Sequence, residues 1–237
     1  MNYIRKYVQN ERGDGLMLVI IGMLFTSIFL CFVFFDFSNV FINKRVTQTG
    51  ADSAALAGAR SSSEYMSEVL KEKVEEELQS LLQSWEDFLT AALATAEDLE
   101  EKKSVAEIFD EFIEGIETSL GKSMPGDVKS YVWSGGGEVE GNPALLFFFK
   151  DNQISTMACQ AVLENLTESY NEAVTFAEAN QNDRIVEYEF LKEEFKIYAK
   201  TERKGQYITV PDKSVSAISA QASVQIGSPK GVTITCP

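Results

Sequence analysis

Two kinds of side chain in this sequence could carry chemistry: carboxylates and cysteines. None of the 237 residues is histidine. Its absence removes the usual general base, the Ser–His and Cys–His nucleophile pairs, and the commonest metal ligand. Acids are abundant, 36 Asp and Glu against 21 Lys and Arg, for a net charge of −15. No spacing among them selects a general acid–base pair. Glu75-Glu76-Glu77 and Glu193-Glu194 read as solvated faces, and no alternating acids surround a glycine turn as a calcium loop requires. The sequence therefore predicts no catalytic residue, no metal ligand and no cofactor.

The cysteines are Cys31, Cys159 and Cys236, with no CxxC pair. Cys31 lies inside an apolar run. Cys159 and Cys236 are candidates for a disulfide if both face an oxidising compartment. Spacing alone supplies no distance, so their pairing stays open. One carboxylate stands apart. Asp36 is the first charge after 20 uncharged residues, Leu16 to Phe35. Charge beside hydrocarbon is expensive and usually has a reason. Asp36 reads either as a group that pairs with a partner at the membrane edge or as the residue that ends the apolar run.

The elements that must position these groups begin with that run. Twenty helical residues cover about 30 Å, the thickness of a hydrocarbon core. We read residues 16–36 as a transmembrane helix and 1–15 as a cytoplasmic tail or leader. Arg5, Lys6 and Arg12 outweigh Glu11 and Asp14 by one in that tail, so the rest of the chain carries −16. Basic residues flank the span on both sides, at Lys44 and Arg45 as well, so charge bias alone orients it weakly. The short N-terminal segment and the large C-terminal part put the N-terminus inside and the bulk outside the cytoplasm. A cleaved secretory signal is the competing reading, with Ala55-Leu56-Ala57 as an A-x-A site. The apolar run is too long for that, and the site lies too far beyond it. The acidic remainder excludes a nucleic-acid binder.

The helix is expected to continue past the membrane, because Asp36 to Arg60 contains no proline. Val40, Phe41, Val46, Ala51, Ala55 and Ala59 approximate one helical stripe. Its last part is rich in alanine and glycine, which lets another helix backbone approach closely; a plain alanine-rich helix is the alternative. Gln48-Thr49-Gly50-Ala51-Asp52-Ser53-Ala54-Ala55-Leu56-Ala57-Gly58-Ala59, the preceding Asp36-Phe37-Ser38, the span itself and Arg12-Gly13 together resemble the N-terminal module of TadE/TadG-like proteins of tight-adherence (Flp) pilus assembly. The resemblance covers roughly residues 10–60. It implies a pilin-like membrane protein, a minor pilin or an assembly component, whose helix packs against other pilin helices. Asp36, Gln48, Gly50, Ala51, Asp52, Ala54, Ala55, Ala57, Gly58 and Ala59 are its implied helix-packing residues. Gly13 and Gly15 are its candidate leader-cleavage positions. Pilins carry a glutamate about five residues after such a glycine, whereas Leu18 and Ile20 stand there in this chain. The leader is therefore expected to be retained, as in the TadG-like branch. No Asp-x-Ser-x-Ser motif of a von Willebrand A domain is present.

Beyond residue 62 we expect an acidic helical region over 63–123 and an α+β extracytoplasmic domain over 124–237. Leu70, Val74, Leu78, Leu81, Trp85, Phe88 and Ala92 make an apolar stripe at heptad-like spacing. It reads as the core face of a domain helix, with a partner-binding coiled coil as the alternative. Val105 to Leu120 predicts a second helix, in a hairpin with the first that turns near 101–104. Val128 to Trp133 and Ala144 to Phe149 are expected as strands, with Ser134-Gly135-Gly136-Gly137 as a turn and Asp151-Asn152 as another. Thr156 to about Ala179 is expected as one helix. Val186, Tyr188 and Phe190, then Phe195, Ile197 and Ala199, alternate as two strands, with helix as the alternative. Tyr207 to Val210 is expected as a strand. The clearest strand is Ser216 to Ile226, paired across the Gly227–Gly231 turn with Val232 to Thr235. The fold class is thus α+β: a long N-terminal helix, a helical hairpin insertion and an antiparallel sheet.

Three functions compete. A pilus-assembly or minor-pilin role calls for pilins and the membrane as partners. A single-pass protein with an acidic binding domain unrelated to pili needs a ligand the sequence does not name. A membrane-anchored carboxylate hydrolase has no residue pair in its favour.

Overall fold

A computed structural model describes residues 14–99, 103–211 and 214–236. One helix dominates. α1 runs from Asp14 to Leu99 without interruption, 86 residues or about 130 Å. Proline is absent throughout, and its glycines are isolated, so nothing breaks the backbone ladder. The span, the small-residue segment and the heptad-like stripe are therefore one rod. The expected hairpin turn lies partly outside the described residues. α2 follows at Val105–Leu120, opened by a capping box. The Glu107 carboxylate accepts the Ser104 N–H at 2.7 Å while the Ser104 hydroxyl accepts the Glu107 N–H at 3.3 Å. Gly121 closes α2 in the left-handed conformation, φ 65°.

Two expected strands are helices. Residues 126–134 form α3 (Gly126–Ser134). Pro125 precedes its first turn, Val128 and Val132 stack one turn apart in the core, and Gly135 ends it at φ 74°. Residues 141–148 form α4 (Gly141–Phe148), with Pro143 in the first turn, where its missing N–H costs nothing. Six-residue apolar windows fit both periods, and the flanking proline and glycine were the signal that decided.

The expected helix over 156–179 starts earlier and is divided. α5 spans Asp151–Glu164 and α6 spans Leu166–Ala179. The expected turn at Asp151-Asn152 is the first turn of α5, where the Gln153 side-chain oxygen accepts the Lys150 N–H at 2.9 Å. Asn165, at the junction, donates to the Ser61 hydroxyl of α1 at 3.1 Å.

Three strands complete the fold. β1 (Arg184–Leu191), β2 (Lys196–Arg203) and β3 (Ile218–Gln225) form an antiparallel sheet in that order. A bulge between Ile185 and Glu187 leaves Val186 facing solvent, so Ile185 rather than Val186 shares the inner face with Tyr188. Tyr207–Val210 is not a strand, because its N–H groups bond to Asp36 instead of to a neighbouring strand. Val232–Thr235 does not pair with β3. Val232 is buried in the core, and the Thr235 N–H donates to the Ser155 hydroxyl of α5.

The fold is α+β. One core unites α1 with α2–α5 through Leu70, Val74, Leu78, Leu81 and Trp85, which answers the stripe: it is a core face. Trp85 meets Phe109 edge-on at 5.0 Å and Phe112 at 5.5 Å. Lower on the helix, α6, β2 and β3 lie against α1.

Candidate functional site

Asp36 closes the bare apolar segment of α1, and its surroundings are built with care. Its carboxylate accepts the Ile208 N–H and the Thr209 N–H, both at 2.7 Å, and the Thr209 hydroxyl at 2.5 Å. Such charge-assisted bonds are the strong ones. The residue is only 7% exposed. One turn on, the Asn39 amide reaches the Gln206 carbonyl at 3.5 Å. Asp36 thus has a partner in a loop of its own chain.

The same holds for the small-residue stripe. Ala51, Ala54, Ala55 and Ala59 are buried, Ala54 and Ala55 against Ala173 and Ala177 of α6 and Ala199 of β2. A Cβ at Gly50 would collide with the Asn182 amide, and one at Gly58 with the Tyr188 hydroxyl. Gln48 donates to Asp52 at 2.9 Å and to the Gln221 carbonyl of β3 at 3.1 Å. Asp52 is exposed and Ala57 half-buried. The close backbone approach implied by these residues occurs, but inside the chain. Within the chain, α6 and the sheet cover the buried members.

Sequence reasoning missed a polar cluster above this stripe. The Ser169 hydroxyl donates to the Gly58 carbonyl at 3.0 Å, receives the Ser62 hydroxyl at 3.2 Å and bonds to the Tyr188 hydroxyl. Burial pushes the Tyr188 phenol up to about 12, against the opposing effect of the Ser169 bond. These groups pin α1, α6 and β1 together where alanine leaves no side chain to interlock. Ser62, in the run Ser61-Ser62-Ser63 that follows Ala59 and Arg60, is the trace it leaves in the sequence.

Cys159 and Cys236 are joined by a disulfide, Cα–Cα 5.7 Å, tying the C-terminal segment to α5. Cys31 is free and exposed on the bare helix. Gly15 sits in the first turn of α1 with open space around it, and Gly13 lies outside the described residues. The acid runs are on the surface. Glu76 pairs with Lys73 at 2.7 Å and Glu194 with Lys196 at 2.5 Å. Among the described residues no three or more metal-ligating side chains converge.

The face of α1 that remains open is different. Along the apolar span every described side chain from Leu16 to Phe35 is exposed. α1 is the one described helix long and apolar enough to cross a membrane, and none of its most apolar stretch is buried. The exposure continues beyond Asp36 through Phe37, Phe41 and Ile42, with Phe37 and Phe41 in edge contact at 5.1 Å.

Residues 13–61 match the family model of putative Flp pilus-assembly TadE/G-like proteins. The matched stretch is about one fifth of the chain and holds the span, Asp36 and the small-residue stripe. None of the curated proteins and none of the solved structures matches the chain. The chain carries a pilus-assembly-type module at its N-terminal end, on a helix fit to anchor it in a membrane.

Proposed function

We propose that this protein is a component of a tight-adherence (Flp) pilus machine, either a minor pilin or an assembly protein. It is anchored by residues 16–36 with its N-terminus in the cytoplasm and its α+β bulk outside. The reading is supported by the TadE/G-like match over 13–61 on a helix whose apolar surface is bare. Pilin partners meet α1 on the side turned away from the domain. Phe34, Phe37 and Phe41 line that side, three or four residues apart, and all are exposed. They carry the apolar surface two turns past the last uncharged residue, farther than a span of about 30 Å requires. The leader stays attached, since no glutamate stands five residues beyond Gly13 or Gly15.

The test is a photo-reactive side chain at Phe41, in native membranes that assemble the pilus. Crosslinks to pilins or secretion components are the expected result. Crosslinks to none of them, with the full-length protein present, would refute the reading. Mass spectrometry of the same protein from membranes and from sheared filaments separates the two roles. An intact Met1 end found only in membranes marks an assembly protein; recovery in filaments marks a minor pilin.

A further inference from the structure

The sheet is aligned with α1 in a way that fixes which end of the domain faces the membrane. β2 runs down the helix. A Cβ at Gly58 would stand 3.2 Å from Ile197, and the Thr201 hydroxyl donates to the Thr47 carbonyl at 3.2 Å. Past the end of β2, Ile208 reaches Asp36. β3 runs back up. The Lys44 ammonium donates to the Ser219 carbonyl at 2.8 Å, Gln48 to the Gln221 carbonyl at 3.1 Å, and Gly227 lies opposite Ser63. The described stretch after β2, residues 204–211, therefore lies at the end of the domain nearest the apolar run. It is tied to Asp36, the immediate neighbour of the last uncharged residue, so its depth is set by the span itself.

The side chains at this tip suit a lipid interface. Ile208 is 58% exposed and Val210 43% exposed, beside the half-buried Tyr207. Residues 203–213 contain Arg203, Lys204 and Lys213 against Asp212, a net of +2, in a chain of net charge −15. Arg203, Lys204, Tyr207 and Ile208 line a hollow with Phe35 and Ile42 of α1. Asp183, at the rim of the same hollow, accepts the Lys204 N–H at 2.7 Å. Exposed aliphatic tips beside a lysine ammonium are what the boundary between hydrocarbon and headgroups accommodates.

We propose that residues 207–210 form a second membrane contact, seated in the lipid interface of the leaflet that faces the domain. Ile208 and Val210 enter the acyl boundary and Lys204 faces the lipid phosphates, while Tyr207 packs back over Gly205 and Arg203 is held by Gln181 at 3.1 and 3.0 Å. Asp36 holds the tip in place through backbone N–H groups, so the loop needs no strand to define it. The protein then meets the bilayer at two points, and α1 is fixed in rotation about its own axis. This inference rests on the membrane-anchored reading of residues 16–36.

The test uses the full-length protein in vesicles of phosphatidylcholine and phosphatidylglycerol whose chains carry bromine near the carbonyl end. Ile208→Trp, Val210→Trp and Phe29→Trp are compared with the parent protein. The native Trp85 lies 49 positions beyond Asp36, about 75 Å along the helix, and Trp133 shares its aromatic cluster through Phe109. Neither is within reach of the quencher. The expected result is blue-shifted added emission from Ile208→Trp and Val210→Trp, quenched at least twofold by brominated lipid. Val210→Trp serves as the second reading should Ile208→Trp disturb the bonds to Asp36. Quenching of Phe29→Trp alone overturns the tip contact and leaves the anchor standing. Quenching of none of the three overturns both. Blue but unquenched emission at the tip means that protein covers it, which also overturns the lipid contact.

Discussion

The two parts of α1 on either side of Asp36 obey opposite rules. Below it, the described side chains from Leu16 to Phe35 are large, apolar and exposed all round the helix. Above it, one face is lined by alanine and glycine and is fully covered, while Asp52 and Arg60 face water. A helix apolar on every side needs an apolar solvent, whereas a small-residue face needs a close neighbour. The lower part is therefore suited to an apolar solvent such as a membrane, and the upper part takes its stability from α6 and the sheet. One continuous helix joins the two.

That division can be broken or sharpened by experiment. The largest effect is expected from removing the disulfide with Cys159→Ser and Cys236→Ser together. The bridge closes a loop with a sequence separation of 77, for which chain entropy gives about 4.5 kcal/mol. Denaturant unfolding in vesicles should show the domain transition shifted by roughly that amount, with the helical signal of the span unchanged. Loss of both together would show that the two parts are one cooperative unit. Next in size is Ala54→Leu, which forces a large side chain between α1 and α6 at a cost of about 1–3 kcal/mol. Phe29→Leu in the bare segment should leave the domain transition within about 0.5 kcal/mol of the parent. Equal effects from the two would dissolve the distinction. The smallest destabilisation expected to be resolved concerns Tyr188, whose folded-state pKa of about 12 lies above the ordinary phenol value of 10.0. A raised phenol pKa means that folding favours the neutral form. Its contribution is complete below pH 10 and is lost as pH rises towards 12, on the order of 1 kcal/mol after allowing for partial exposure. Tyr188→Phe should flatten the alkaline fall of domain stability and leave the span untouched.

Much of this plan was legible in the residues. The end of the apolar run marked Asp36, and the 3.6-residue spacing marked the Leu70–Trp85 face and the alanine part of the first stripe, whereas its first members, Val40 and Phe41, are exposed. Period-two alternation marked β1, β2 and β3. The partners were not legible. Alanine and glycine permit close approach without naming what approaches, and the neighbours of this face lie more than a hundred residues away, as in the bond of Gln48 to Gln221. Tyr207–Val210 alternates like a strand, but its donors are taken by a distant carboxylate, a fact that local pattern does not encode. Val128–Trp133 and Ala144–Phe149 are too short for either period to win, so Pro125, Gly135 and Pro143 held the better signal. The bulge at Val186 shifts the alternation by one residue within a strand that was otherwise correctly read.

The distance in sequence between α1 and its cover sets the order in which the protein can be made. Lys44 meets Ser219, 175 positions later. At about 5–20 residues per second, synthesis of that interval takes about 10–35 s. Throughout it, the alanine face of α1 and Asp36 lack the partners that α6, the sheet and residues 208–209 supply in the folded chain. Folding therefore includes a waiting period, in which anything that meets this face competes with the protein's own sheet for the same seat.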